Sequence, residues 1–177
     1  DWSSDVCSSD LFYMGKLELV IESENISIYS PKFDGETATE FEKFMFINRD
    51  PYPQLKRDFD AIISVIKKMT DDCGARENLF RLEGGNIKAI PLCVSLRRKD
   101  RSVGTLRLYC IRISDKILVI GNGGIKRTDT FQEDPVLLSI VNQLRQIEHQ
   151  IFVESKKAHV NYYDFDKMKP IIETITI

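Results

Sequence analysis

Between Leu106 and Ile120 the chain carries two runs of β-forming residues, Leu106-Arg-Leu-Tyr-Cys-Ile-Arg-Ile113 and Ile117-Leu-Val-Ile120, with only Ser114-Asp-Lys116 between them. A connection that short permits a hairpin but not a crossover between parallel strands, so the pair must be antiparallel neighbours. The second run is apolar at every position, and the two together read as a buried β-hairpin. Gly121-Asn-Gly-Gly-Ile-Lys-Arg-Thr128 follows. Its glycines and cations read as a flexible basic loop suited to holding phosphate.

A chain of 177 residues, 42% apolar and 10% aromatic, has the material for one globular domain with a real core. No apolar run approaches the length of a membrane span and no charged-then-apolar leader marks a signal peptide, so the expected location is the cytoplasm, without membrane contact. The net charge is only −2, yet it is unevenly spread. From Arg76 to Arg127 twelve Lys and Arg face four Asp and Glu, a local +8, while the rest carries thirteen against twenty-three, or −10. The basic half either forms a phosphate-facing surface or is a set of solvated edge and loop cations.

Cys7, Cys73, Cys93 and Cys110 form no Cys-x-x-Cys pair, and His149 and His159 lie apart from them. Neither zinc nor any other metal or cofactor is expected. Cys110, inside an apolar run, reads as a small buried hydrophobe.

The first thirteen residues are serine- and aspartate-rich and aperiodic, and are set aside as a non-native or disordered leader, with the native start expected near Met14. Lys16–Glu22 and Asn25–Tyr29 alternate around a Glu24-Asn25 turn and predict a β-hairpin. Glu36–Ile47 has Phe41, Phe44 and Met45 at helical spacing. After Asp50-Pro-Tyr-Pro53 a second helix should bury Leu55, Phe59, Ile62, Ile63, Ile66 and Met69 and end at Gly74, which together predict a helical hairpin. Short strands are then expected over Asn78–Glu83, Ile87–Val94, Leu106–Ile113 and Lys116–Ile120. Residues 92–105 hold a basic connection with Arg97, Arg98, Lys99 and Arg101, which either grips RNA phosphates or is an ordinary hairpin tip. Asp134-Pro135 opens the last helix, running to about Val153 with Leu137, Ile140, Val141, Leu144, Ile147 and Ile151 inward. Residues 155–177 are a C-terminal extension whose Ile171–Ile177 stretch is rich in β-formers and predicts an added edge strand.

The expected fold is α+β: a central antiparallel β-sheet, an N-terminal β-hairpin, a helical hairpin and a C-terminal helix over residues 14–154. In this order Ile117-Leu-Val-Ile-Gly-Asn-Gly-Gly-Ile-Lys-Arg-Thr-Asp-Thr130, preceded by Leu106-Arg-Leu-Tyr109 and Leu79-Phe-Arg-Leu-Glu83, resembles the RelE and HigB superfamily of ribonuclease toxins, in particular its phage-associated HigB-like branch. The better match covers Leu79 to about Val153. Relatives of this kind are shorter and more basic, and lack the Pro91–Thr105 connection and the tail.

The resemblance implies a RelE-like fold and metal-independent cleavage of messenger RNA, often on the ribosome, by attack of a ribose 2′-hydroxyl on the adjoining phosphate. It also implies a cognate helix-turn-helix antitoxin. Carried over residue by residue, it points to Arg107 and Tyr109 on one strand, Lys126 after the glycines and Arg81 on an earlier strand, with Arg127 and Thr128 in support. Period-two alternation puts Arg107 and Tyr109 on one face and Arg112 on the other. Against these roles stand a surface cation paired with Glu83 for Arg81 or Arg107, a packing residue for Tyr109 and a simple turn for the Lys126 loop. A P-loop is excluded by the missing G-x-x-x-x-G-K-[ST] order. A non-catalytic RNA- or protein-binding module of the same fold, perhaps serving phage defence, is the alternative from another functional class.

Overall fold

A computed structural model describes residues 14–92 and 103–177. Six strands, β1 (Gly15–Glu22), β2 (Ser27–Phe33), β3 (Arg81–Gly84), β4 (Ile87–Ile90), β5 (Thr105–Arg112) and β6 (Ile117–Lys126), form one sheet in the order β1-β2-β6-β5-β4-β3. Helices α1 (Glu40–Asn48) and α2 (Pro53–Lys68) cover one face, and α3 (Pro135–Lys157) and α4 (Phe165–Thr174) the other. Among the described residues no helix is long and apolar enough to cross a membrane.

The α+β class and the N-terminal hairpin stand as expected, but the sheet is mixed rather than antiparallel. Strand β2 lies parallel to β6, pairing Ser27, Ile28 and Tyr29 with Ile117, Leu118 and Val119. All six of these residues are buried. Helices on both faces suit a parallel pair, which needs cover on each side. After these three pairs the strands diverge, β2 continuing with β1 and β6 with β5.

Alternation along β5 sorts the core into two layers. Leu106, Leu108 and Cys110 join Leu118 and Ile120 beneath α1 and α2, while Tyr109, Ile111 and Ile113 join Ile117 and Val119 beneath α3 and α4. Helices α1 and α2 follow one another as expected, each seated on the sheet and touching through stacked Phe44 and Phe59 rings 6.5 Å apart. Helix α1 starts later than its apolar spacing indicates, because Thr39 and Glu42 form a reciprocal capping box that fixes its first turn. Helix α3 begins where Asp134-Pro135 predicts, with the Asp134 carboxylate accepting from the Val136 and Leu137 amides.

Asn78 and Leu79, expected in a strand, lie in a short 3-10 turn before β3, and two longer segments differ more from the sequence reading. The glycine-rich stretch after Ile120 is no loop: β6 continues through it to Lys126, paired with β5. Its glycines serve close approach. A β-carbon on Gly121 would lie 2.8 Å from a Leu144 methyl of α3, and one on Gly123 2.0 Å from the Arg107 carbonyl oxygen at a bulge. Ile171–Ile177, expected as an edge strand, is helical to Thr174, since Met168 and Ile172 need a helical face to reach the core. Past the helix the tail does reach the sheet edge, Thr176 bridging to Lys16 of β1 and Ile177 exchanging two backbone hydrogen bonds with Gly15.

Gly123→Ala should lower the unfolding free energy in urea by about 3 kcal/mol and Leu144→Ala by a similar amount. Gly35→Ala, where a β-carbon meets nothing within 4 Å but φ is +82°, should lose only about 1 kcal/mol.

Candidate functional site

Cross-strand register gathers the four residues singled out for catalysis. Arg81 on β3 pairs with Ala89 on β4, which pairs with Tyr109 on β5. Directly opposed residues share a face, and Ala89 and Tyr109 both belong to the layer under α3. Arg107, two residues before Tyr109, lies on that face and pairs with Gly124, while Lys126 pairs with Thr105 and is thus diagonal to Arg107. Such diagonal positions lie about 7–8 Å apart, within reach of long side chains. Arg112 faces the opposite way, as alternation requires, and donates from Nε to the Ala75 carbonyl.

Burial differs sharply within the group. Arg81 keeps nearly half of its side chain exposed and pairs with Glu83 at 3.4 Å. Arg107, Tyr109 and Lys126 are buried, with Tyr109 at 0% exposure. Arg107 is therefore no surface cation. Its Nη1 donates to the Pro91 carbonyl, and its Nε and the Tyr109 hydroxyl have no hydrogen-bond partner among the described residues. The Tyr109 ring meets Phe131 edge-on at 6.3 Å, so the packing role weighed against it is real.

Charge placement tunes these groups. Burial, and then the Arg81 guanidinium, lower the pKa of Lys126 below its usual 10.5, against an opposing pull from Glu83. The same two influences lower Arg107. Burial, followed by the Glu83 carboxylate, pushes the Tyr109 phenol up, so it holds its proton. Lys126 and Tyr109 are thus shifted in opposite directions, the amine toward its neutral form and the phenol toward its protonated one.

Glu83 is the participant that the sequence reading treated only as a neutralising partner. Its side chain is 8% exposed and it bears on Lys126, Arg107 and Tyr109 alike. Its spacing of two from Arg81 on a strand was the available signal. Of the supporting residues, Arg127 is exposed beside Gly104, and the Thr128 hydroxyl donates to the Thr130 carbonyl. Arg97, Arg98, Lys99 and Arg101 lie outside the described residues.

The basic half of the sequence does not form a single surface. Lys88 and Arg112 sit on the other face of the sheet, both tied to Glu77 at 2.7 and 2.9 Å. An open groove of about 520 Å³ lies between α1 and α3 over Asn122 and Gly123. Its carboxylate, Glu40, is already engaged by Lys43 and Asn122, so the chemistry points to the Arg81–Lys126 face instead. Cys110 is fully buried, and burial pushes its thiol pKa up, in keeping with a packing role. No protein-family model, curated protein or solved structure matches the chain.

Tyr109→Phe removes an unpartnered buried hydroxyl and should raise stability by about 1 kcal/mol in urea denaturation, whereas a hydrogen-bonded hydroxyl would cost about that much to lose. A lowered Lys126 pKa makes the folded state bind its proton more weakly than the unfolded chain does. The cost is complete below the folded pKa and disappears as pH rises toward 10.5. Lys126→Met should therefore be more stable than wild type at pH 7, with the difference shrinking on the alkaline side; a pH series of urea midpoints checks this.

Proposed function

We propose that the chain is a RelE/HigB-like, metal-independent endoribonuclease that cleaves messenger RNA. The observation that carries this reading is the convergence of Arg81, Arg107, Lys126 and Tyr109, from three separate strands, on one face with Glu83 as the carboxylate among them. Each has a chemical task in transesterification. Lys126 acts in its neutral amine form, which burial and Arg81 favour, and accepts the 2′-hydroxyl proton as the 2′ oxygen bonds to phosphorus. Arg107 and Arg81 stabilise the negative charge that accumulates on the phosphoryl oxygens. Tyr109, held protonated, donates to the 5′ oxygen as its bond to phosphorus breaks. The products are a 2′,3′-cyclic phosphate and a 5′-hydroxyl end. In this reading the protein works in the cytoplasm, on the ribosome, and is neutralised by a helix-turn-helix antitoxin.

Complete burial of Tyr109 favours a second reading. In it Arg81 and Lys126 hold RNA phosphate or an acidic protein segment, Tyr109 only packs, and no bond is cut.

Tightly controlled induction in bacteria, with new RNA 5′ ends mapped, separates the two. The nuclease reading expects growth arrest and discrete cuts bearing 5′-hydroxyl ends. Purified protein should cut in excess EDTA, and Arg107→Ala combined with Lys126→Ala should lose at least about 100-fold in rate. Normal growth with intact RNA, at confirmed soluble expression, leaves the binding module.

A further inference from the structure

Beside the cation face, α3 presents an arginine that neither the resemblance nor the proposed chemistry uses. Arg145 is exposed, and its guanidinium carbon lies 5.6 Å from the centroid of the Phe131 ring, the ring that meets Tyr109. Strand β3 passes directly beneath: a methyl group on Gly84 would lie 3.7 Å from Arg145 Nη2. Gly84 is the neighbour of Glu83 and lies three residues from Arg81. Arg145 thus flanks the Arg81 end of the site, on the side away from Lys126.

Among the described residues its charge is uncommitted. Arg81 has Glu83, and Arg112 has Glu77 and Asp115. Arg145 has no ion pair among the described residues, and its polar contact is a 3.3 Å hydrogen bond to the Asn142 side chain. The carboxylate one turn further along α3, Glu148, is turned aside to accept from Asn86 at 2.7 Å. One guanidinium face rests toward Phe131 while the side chain remains open to solvent. That presentation suits bidentate capture of a phosphate.

The lateral order β6-β5-β4-β3, at about 4.8 Å per strand, spreads Lys126 and Arg81 over about 14 Å. We propose that Arg145 is a substrate-positioning residue: the phosphate under attack is held at the exposed Arg81 border of the site, and Arg145, beyond Arg81, takes the phosphate adjoining it. This deepens the nuclease reading and rests on it.

Steady-state cleavage of synthetic single-stranded RNA, a dinucleotide beside a five-nucleotide chain, tests the assignment over a range of salt concentrations. Wild type should favour the longer RNA through KM. Arg145→Ala should raise KM for the longer RNA about tenfold with kcat within about twofold, and flatten the salt slope by about one phosphate contact. Arg145→Lys should recover most of the salt slope. Lys56→Ala, an exposed cation on α2 across the sheet, should change neither. An Arg145→Ala enzyme with unaltered length preference and salt slope overturns the role of Arg145 alone. A wild-type protein that neither binds nor cuts either RNA overturns both this inference and the nuclease reading.

Discussion

The architecture depends on burying β5 and β6 from both sides. Alternate residues of β5 feed two separate cores, Leu106, Leu108 and Cys110 toward α1 and α2, and Tyr109, Ile111 and Ile113 toward α3 and α4. A slip of one residue in the pairing would exchange the two sets and present Arg107 to the opposite core. Register is therefore tightly specified by hydrophobic burial, and the same register fixes where the cations stand. The amide of Leu106 adds a polar constraint, donating to the buried Asp58 carboxylate of α2 at 2.8 Å.

Close packing of α3 completes the arrangement. Gly121 and Gly124 lie under Leu144 and Leu137 respectively, so the helix settles close to β6. This brings Phe131 and Arg145, on and just before that helix, to the border of the Arg107–Tyr109 face. Residues that looked like a mobile phosphate-binding loop are thus a rigid part of the sheet. Arg107 and Lys126 are accordingly fixed by the strands that carry them.

Much of this was legible in the sequence because the relevant signals were local. The β5–β6 hairpin followed from a three-residue connection, the start of α3 from Asp134-Pro135, and the shared face of Arg107 and Tyr109 from a spacing of two. What escaped was non-local. Gly121–Lys126 has the composition of a loop, and only the leucines of α3, more than ten residues later, explain its glycines as strand. Ile171–Ile177 has strand composition, but Met168 and Ile172 dock as a helix, so tertiary packing overrode propensity. The direction of β2 against β6 carries no sequence signature at all, because either direction buries the same apolar residues. Glu83 was visible as a residue but not as part of a site, since its influence on Lys126 arises across three strands.

The parallel seam between β2 and β6 joins Ser27 to Ile117, ninety positions apart, through three residue pairs. Every other strand pairing in the sheet is antiparallel, and the β1–β2, β3–β4 and β5–β6 partners are successive strands. The seam is consequently the junction with the largest loop-closure entropy, and only three residue pairs offset it. In folding, the N-terminal hairpin is a piece whose place in the sheet becomes available only once β6 has been synthesised. The β1–β2 hairpin is thus joined to the sheet by residues ninety positions away rather than by its neighbours in the chain.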